Sequence, residues 1–277
     1  MRTPPPVRSK GVGGVRARQA SPRALAIGGG IALVIVIAIV LGVVLSSGGG
    51  SGGGGSVVST SDMQGLQATG NPTSNTALPG AAESNNLFKG IPQHGLTLGN
   101  PKAKVEMEMF IDVQCPVCDD YEVNHLPSVV NKYISTGKVQ LHLQPWAFIG
   151  GAGSQSFTGR LGLIAASMQN KGFEYAKVLY DNQPPNSEGT GWLNGQMMAR
   201  IAGSVAGLNL AKWRADTNGS ASKSVASQVD AQATAENVGG TPTIFVGPTG
   251  GKLQEATGTT YNPAGVVEAL NAALANT

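Results

Sequence analysis

The sequence predicts an α/β domain, in which a sheet carries helices on its faces. Two runs of alternating apolar residues, at 105–111 and 139–143, flank a segment with helical periodicity. A helical block follows, and then a β-branched strand at 243–246, a returning strand and a closing helix. A βαβ unit followed by a ββα unit is typical of an α/β sheet domain.

The first 45 residues have a different composition from the rest of the chain. Residues 1–23 carry six Lys or Arg and no acid, which predicts a basic, disordered cytoplasmic tail. Residues 24–45 contain no charge, and a helix of that length crosses a hydrocarbon core of about 30 Å. Because a secretory signal has a shorter apolar region of roughly 7–15 residues, we predict an uncleaved transmembrane signal anchor. A cleaved signal is the alternative.

This anchor would make the chain a single-pass protein of the cell membrane, with everything after residue 45 extracytoplasmic. Residues 46–84 are rich in Gly and Ser and predict a flexible, disordered linker. After residue 23 the chain has 13 Lys and Arg and 16 Asp and Glu, because six of the 19 cations lie in the tail. The basic pI therefore comes from the tail, and we expect no nucleic-acid partner.

Residues 85–277 are long enough for one folded domain. A short edge strand is expected at 95–99, and a central strand at 104–112 precedes a helix at 119–136. The helical block is expected at about 150–220, and a last helix before the final strands at 222–238.

The chemistry is expected at Cys115 and Cys118, the only two cysteines in the sequence. They are spaced C-x-x-C where a strand turns into a helix. Free backbone N–H groups and the helix dipole stabilise a thiolate there, so the pKa of Cys115 should lie well below the free value of about 8.5. Pro116 suits the first helical position. This arrangement indicates thiol–disulfide exchange.

Two other interpretations of the cysteine pair are weaker. Structural zinc needs four ligands, but the chain has no second cysteine pair and its three histidines are scattered. A purely structural disulfide would close a very short loop and stabilise the fold little. We therefore predict no metal and no cofactor.

The pattern resembles the DsbA-like family of the thioredoxin fold. The matching pieces are Phe110-x-Asp112-x-Gln114-Cys115-Pro116-x-Cys118, Leu126-Pro127, Gly137-Lys138-Val139 and Gly239-Gly240-Thr241-Pro242-Thr243. They cover roughly residues 85–275. The resemblance implies a thioredoxin-like fold, with the helical block as that family's insertion.

The resemblance also implies roles for individual residues. Cys115 would be the exposed attacking thiolate and Cys118 the buried resolving thiol. Pro242 would be a cis-proline facing the disulfide and, with Thr241, would bind substrate. The implied partners are exported proteins with cysteines and a quinone-linked oxidase embedded in the membrane.

The chain departs from the family at two places. Met109 occupies the position where the family often has a buried acid, and Glu108 beside it points the other way. Val117 replaces the histidine of the strongest oxidants, and Asp119 and Asp120 add negative charge near the sulfurs. We therefore expect a Cys115 pKa of about 4.5–6.5, above the lowest values known.

Three functions remain open from the sequence. The first is an oxidase that forms disulfides in exported proteins, which the predicted anchor and an oxidising compartment favour. The second is a reductase or isomerase kept reduced by a membrane partner, because the same two cysteines serve both directions. The third is a redox-inert peptide-binding module.

Overall fold

The computed structural model describes residues 56–151, 153–257 and 261–277. The predicted tail at 1–23 and the predicted span at 24–45 lie outside this part of the chain. In the three described stretches, no helix combines the length and the apolar character needed to cross a membrane.

Six strands form one mixed sheet, in the order β1-β2-β4-β3-β5-β6. The strands are β1 (Gln93–His94), β2 (Thr97–Leu98), β3 (Val105–Ile111), β4 (Val139–Pro145), β5 (Thr243–Pro248) and β6 (Gln254–Glu255). The central strand β3 runs parallel to β4 and antiparallel to β5, and every residue of β3 is buried. The α/β sheet, the short edge strand expected at 95–99 and the returning strand are confirmed, whereas β1 was not predicted.

The described residues contain eight helices, some packed on the sheet and others on one another. They are α1 (Ala81–Leu87), α2 (Pro116–Ile134), α3 (Gln155–Ser167), α4 (Gly172–Tyr180), α5 (Gly195–Gly203), α6 (Leu210–Asn218), α7 (Ser220–Ala235) and α8 (Pro263–Ala275). Helix α2 contains two π-helical stretches, at Tyr121–His125 and Val130–Ile134. The helices α3 to α7 lie between β4 and β5 in the chain and form the helical insertion.

The insertion is longer than the predicted 150–220, because α7 extends it to Ala235. Arg160 of α3 is only 1 % exposed and forms a two-pronged ion pair with Asp230 of α7, at 2.6 and 2.9 Å. This bidentate pair fixes α7 to the rest of the insertion, so the helix belongs to the block.

The predicted linker at 46–84 is wrong for its second part, because residues 56–84 fold onto the insertion. The backbone N–H of Val57 donates to the Asn218 side chain at 2.7 Å, and Gly70 N–H donates to the Leu208 carbonyl at 2.9 Å. Val58 is fully buried. We call residues 57–80 the strap. Hydrogen bonds to distant residues hold the strap in place, and its apolar side chains add to them: Val58 and Leu78 are buried in the core, and Leu66 packs against it.

Candidate active site

The sheet register brings two distant parts of the chain together at the carboxyl end of β3. Phe110 pairs with Thr243, so the residues before Thr243 lie beside the turn that follows Ile111. The Thr241–Pro242 peptide bond is cis, as the sequence analysis expected. The cis-proline loop and the cysteine turn therefore face each other.

Cys115 is the N-cap of α2, with Pro116 in the first helical turn. Its sulfur accepts a hydrogen bond from the backbone N–H of Cys118 at 3.4 Å. The Cys115 thiol lies 3.2 Å from the carbonyl oxygen of Thr241, to which it donates. This contact couples the cysteine turn directly to the cis-proline loop.

The surroundings of Cys115 favour its thiolate. A hydrogen bond from the Cys118 side chain is the largest effect, and the backbone N–H groups of Cys118 and Val117 act in the same direction. Together they outweigh the burial of the group and lower the pKa of Cys115 to about 6. That value lies within the range expected from the sequence.

Cys118 has the opposite environment. Its side chain is fully buried, and burial raises the pKa of its thiol well above the usual value. The hydrogen bond and the charge of Cys115 raise this pKa further. At neutral pH, one sulfur is therefore largely a thiolate while its neighbour holds its proton.

The two thiols differ less in exposure than the sequence suggested. Cys115 was expected to be exposed, but only 5 % of the residue is accessible, because the Thr241 carbonyl covers the sulfur. Val117 is 37 % exposed beside it. Cys115 therefore keeps a small accessible surface, whereas Cys118 has none.

Asp112 organises the turn that carries the cysteines, a role the sequence analysis missed. Its buried carboxylate accepts hydrogen bonds from Gln114 N–H at 2.8 Å, Ile149 N–H at 2.7 Å and the Ser156 hydroxyl at 2.7 Å. Its carbonyl accepts from Cys115 N–H at 2.9 Å. One side chain thus ties the cysteine turn to the loop after β4 and to α3.

The insertion also reaches the cysteine turn. The Tyr180 hydroxyl, at the end of α4, donates to the Asp112 carbonyl at 2.9 Å. The Gln183 side chain donates to the Gln114 carbonyl at 2.9 Å, and Gly189 N–H donates to the Gln114 side chain. The insertion therefore forms one wall of the site.

A cluster of charged groups lies beneath the cysteines, and it was also missed. Glu122, one helical turn after Cys118, is 2 % exposed. Lys177 of α4 is buried and pairs with Asp181. The sequence held a signal for Glu122, because it falls on the helix face of Cys118 and Leu126, at steps of four residues.

The two acids after Cys118 have different partners. Asp120 accepts hydrogen bonds from the Tyr261 hydroxyl at 2.8 Å and from the Asn124 amide at 2.9 Å. Asp119 is half-buried, and its burial, together with the charges of Asp181 and Asp120, raises the pKa of its carboxyl. Neither carboxylate is among the groups that shift the pKa of Cys115 or Cys118, whereas the sequence analysis had expected both to act on the sulfurs.

Glu108 points away from the cysteines, as strand alternation predicted. Its carboxylate accepts hydrogen bonds from Gln144 at 2.6 Å and from Gln232 of α7 at 2.9 Å. Met109 is fully buried at the position where an acid was considered. Over the described residues, no group of three or more His, Cys, Asp or Glu is arranged to hold a metal ion.

A pair of thiols with such different acidities can exchange disulfides. The acidic thiol attacks as a thiolate, and the buried thiol forms or breaks the disulfide between the two cysteines. This chemistry and the sheet around it define the class of protein, a thiol–disulfide oxidoreductase of the thioredoxin fold.

Comparisons with known proteins agree with this class. The thioredoxin family model matches residues 92–257, and the chain belongs to that family. A probable disulfide bond formation protein D of Bacillus cereus is 27% identical over 153 residues, which are 54% of this chain and 68% of that protein.

Two solved structures share the fold. Oxidised BdbD of Bacillus subtilis superposes with a TM-score of 0.55 and 17% identity, over 66% of this chain and 94% of that one. Wolbachia pipientis alpha-DsbA1 superposes with a TM-score of 0.54 and 17% identity, over 70% of this chain and 96% of that one.

Proposed function

We propose that the chain oxidises pairs of cysteines in exported proteins through the Cys115-Pro116-Val117-Cys118 disulfide. The observation that carries this direction is the position of Cys115 at the N-cap of α2, where the Cys118 N–H donates to its sulfur and its pKa is lowered to about 6. A stabilised thiolate favours the reduced dithiol, so the disulfide form readily accepts electrons from a client. The name of the Bacillus cereus relative, a disulfide bond formation protein, supports the same direction.

In this proposal Cys115 is the sulfur that forms the mixed disulfide with the client. It is the more accessible and the more acidic of the two sulfurs. Because the more acidic thiol is also the better leaving group, Cys115 leaves a mixed disulfide more readily than Cys118 would. Cys118 is the resolving thiol. The roles of Thr241 and Pro242 are to border the client segment, while Pro116 and Val117 set the start of the helix and tune the thiolate.

The proposal places the reaction outside the cytoplasm. Residues 24–45 would anchor the chain in the cell membrane, with residues 1–23 inside, and the folded part would begin at the strap. Only residues 46–56 would then separate the anchor from ordered structure. A membrane-embedded, quinone-linked oxidase would return the dithiol to the disulfide.

Trapping tests the role of Cys115 as the attacking sulfur. In cells that express the full chain with Cys118→Ala, mixed disulfides between Cys115 and exported proteins should accumulate, because the resolving sulfur is gone. They should disappear on treatment with dithiothreitol. The matched control is Cys115→Ala, which should form none; adducts in that control but not in Cys118→Ala would reverse the assignment.

A further inference from the structure

We propose that Glu108 and Glu236 share one proton and thereby hold the end of α7, which in turn holds the cis-proline loop over Cys115. This inference rests on the proposed function, because it names positioning residues for the attacking sulfur. We call Glu108, Gln232 and Glu236 the latch. It lies on the face of β3 that points away from the cysteines, and it acts on Cys115 through the chain that follows α7.

One amide nitrogen joins the two carboxyl groups of the latch. The Gln232 side chain donates to an oxygen of Glu108 and to an oxygen of Glu236, each at 2.9 Å. The two oxygens are therefore no more than twice this distance apart. Gln144 of β4 donates to the same Glu108 oxygen at 2.6 Å, which fixes this carboxyl to the sheet. The latch therefore ties the last turn of α7 to the central strand.

The surroundings of Glu108 favour a protonated carboxyl at neutral pH. The residue is 5 % exposed, and burial raises its pKa to about 8, with the charge of Glu236 next in effect. Glu106 on the same strand raises this pKa further, and His142, opposite Glu108 on β4, pairs with Glu106. On β5 the residue opposite is Phe245, which carries no charge. Below about pH 8 the latch therefore carries a single negative charge, and the Glu108 O–H can donate to Glu236.

The chain after Glu236 carries this restraint to the active site. Glu236 caps the C-terminal end of α7, and four residues separate it from Thr241, whose carbonyl accepts from the Cys115 thiol at 3.2 Å. A Cβ atom on Gly239 or Gly240 would have no neighbour within 4 Å among the described residues. The middle of this loop is thus unpacked, so its position depends on its two ends. The start of β5 fixes one end, and the latch holds the other.

Loss of the shared proton to solvent should weaken the latch. Above about pH 8 both carboxyl groups are ionised, and two like charges then accept from the single Gln232 amide. Their repulsion should loosen the end of α7 and let the Thr241 carbonyl move away from the Cys115 sulfur. The reactivity of Cys115 would then follow a proton that belongs to neither cysteine.

Alkylation of Cys115 by iodoacetamide tests the latch. In the reduced full chain Cys115 is nearly all thiolate above pH 7, because its pKa is about 6, so its own titration adds little to the rate beyond that point. The wild-type rate should nevertheless rise about threefold or more between pH 7 and pH 9, with an inflection near pH 8 where Glu108 loses its proton. Mass spectrometry of the digested protein assigns each adduct to its cysteine.

Two amide variants should remove this rise. Glu108→Gln places an amide where the protonated carboxyl donates to Glu236, and Glu236→Gln offers an amide to Glu108 at any pH. In both variants the rate should stay level between pH 7 and pH 9. Glu236 is only half-buried, so its variant keeps the test decisive if Glu108→Gln fails to fold.

The matched control is Glu255→Gln, which changes an exposed acid of β6 and should keep the wild-type rise. A rise of wild-type size in either amide variant, or a level profile in the wild type, would overturn the inference.

Hydrogen exchange locates the movement. At pH 9 the backbone N–H groups of residues 237–243 should exchange faster in the wild type than in Glu108→Gln, whereas at pH 6 the two proteins should agree. Equal exchange at pH 9 would also contradict the latch.

The alkylation experiment separates the two proposals. If iodoacetamide labels Cys118 and leaves Cys115 unlabelled, the attacking sulfur is wrongly assigned and the proposed function fails. If Cys115 is labelled at a rate that does not depend on Glu108 or Glu236, only the latch is lost.

Discussion

At the scale of single residues, the site depends on the contrast between two sulfurs three positions apart. Cys115 is bordered by hydrogen-bond donors, whereas Cys118 is enclosed by apolar packing. Because the oxidising strength of the disulfide follows the stability of the Cys115 thiolate, a residue that adds or removes a donor there should tune it.

Val117 is the position at which this tuning is easiest to test. Its side chain is 37 % exposed and can donate no hydrogen bond to the thiolate. Val117→His should lower the pKa of Cys115 and raise the reduction potential by roughly tens of mV. Thiolate absorbance against pH measures the first change, and equilibration with glutathione measures the second.

The control for this change is Val117→Ile, which keeps an apolar branched side chain and should leave both quantities near the wild-type values. An unchanged potential in a correctly folded Val117→His variant would show that the backbone donors alone determine the pKa of the Cys115 thiol.

Some residues of the site could be predicted from the sequence, and others could not. The cysteine spacing, Pro116 and the cis-proline loop each have a local signature, and the structure has them in place. Tyr180 has no such signature, because its contribution depends on which helix packs against α2. That packing is set by the insertion, which contacts the site from more than 60 residues away in sequence.

At the scale of elements, the strap and the insertion depend on each other. The Asn218 side chain accepts from Val57 N–H at 2.7 Å and from Val58 N–H at 3.3 Å, and it donates to the Val58 carbonyl at 2.8 Å. One residue at the end of α6 thus satisfies the backbone of the first ordered part of the strap.

Asn218→Ala should therefore release the start of the strap. Loss of these hydrogen bonds should cost about 1–3 kcal/mol of unfolding free energy, which is about 2–4 °C in Tm for each kcal/mol. Thermal unfolding measures the loss, and proteolysis between residues 57 and 80 should become faster. Asn276→Ala is the control, because its amide bonds only to Ala272 within its own exposed helix end. Equal Tm values for the two variants would contradict the role of Asn218.

The strap also shows why composition misled the sequence analysis. Residues 57–80 are poor in large apolar side chains, which predicts disorder when the segment is considered alone. Its partners lie about 120 to 160 residues away and supply backbone hydrogen bonds that local patterns do not reveal. The central strands were predictable because their alternation is itself local.

At the scale of the whole molecule, buried acids make the stability depend on pH. Burial raises the pKa of Glu108 to about 8, and the charge of Glu236 adds to the shift. Since this folded-state pKa lies above the ordinary carboxyl value of 4.5, the folded state binds the proton more tightly than the unfolded chain. The stabilisation is complete below about pH 4.5 and is lost as the pH rises through about 8.

Glu108→Gln should flatten this dependence. At pH 9 the unfolding free energy of the variant should exceed that of the wild type by about 1–3 kcal/mol, so the variant should unfold at a higher denaturant concentration. The difference should shrink at pH 5. Urea unfolding of both proteins across this pH range is the measurement. As a control, Glu255→Gln changes an exposed acid of β6 and should leave the wild-type pH dependence intact. A wild type that becomes more stable between pH 6 and pH 9 would contradict the assignment.

The central claim, that the disulfide acts as an oxidant, is tested most directly by the reduction potential of the Cys115–Cys118 pair. Equilibration of the full chain with glutathione at pH 7, followed by quantification of the dithiol and disulfide forms, gives that value. A Cys115 pKa of about 6 predicts a potential between about −120 and −270 mV, in the half nearer −120 mV. A potential at or below about −270 mV, the thioredoxin value, would contradict the claim and favour a reductase.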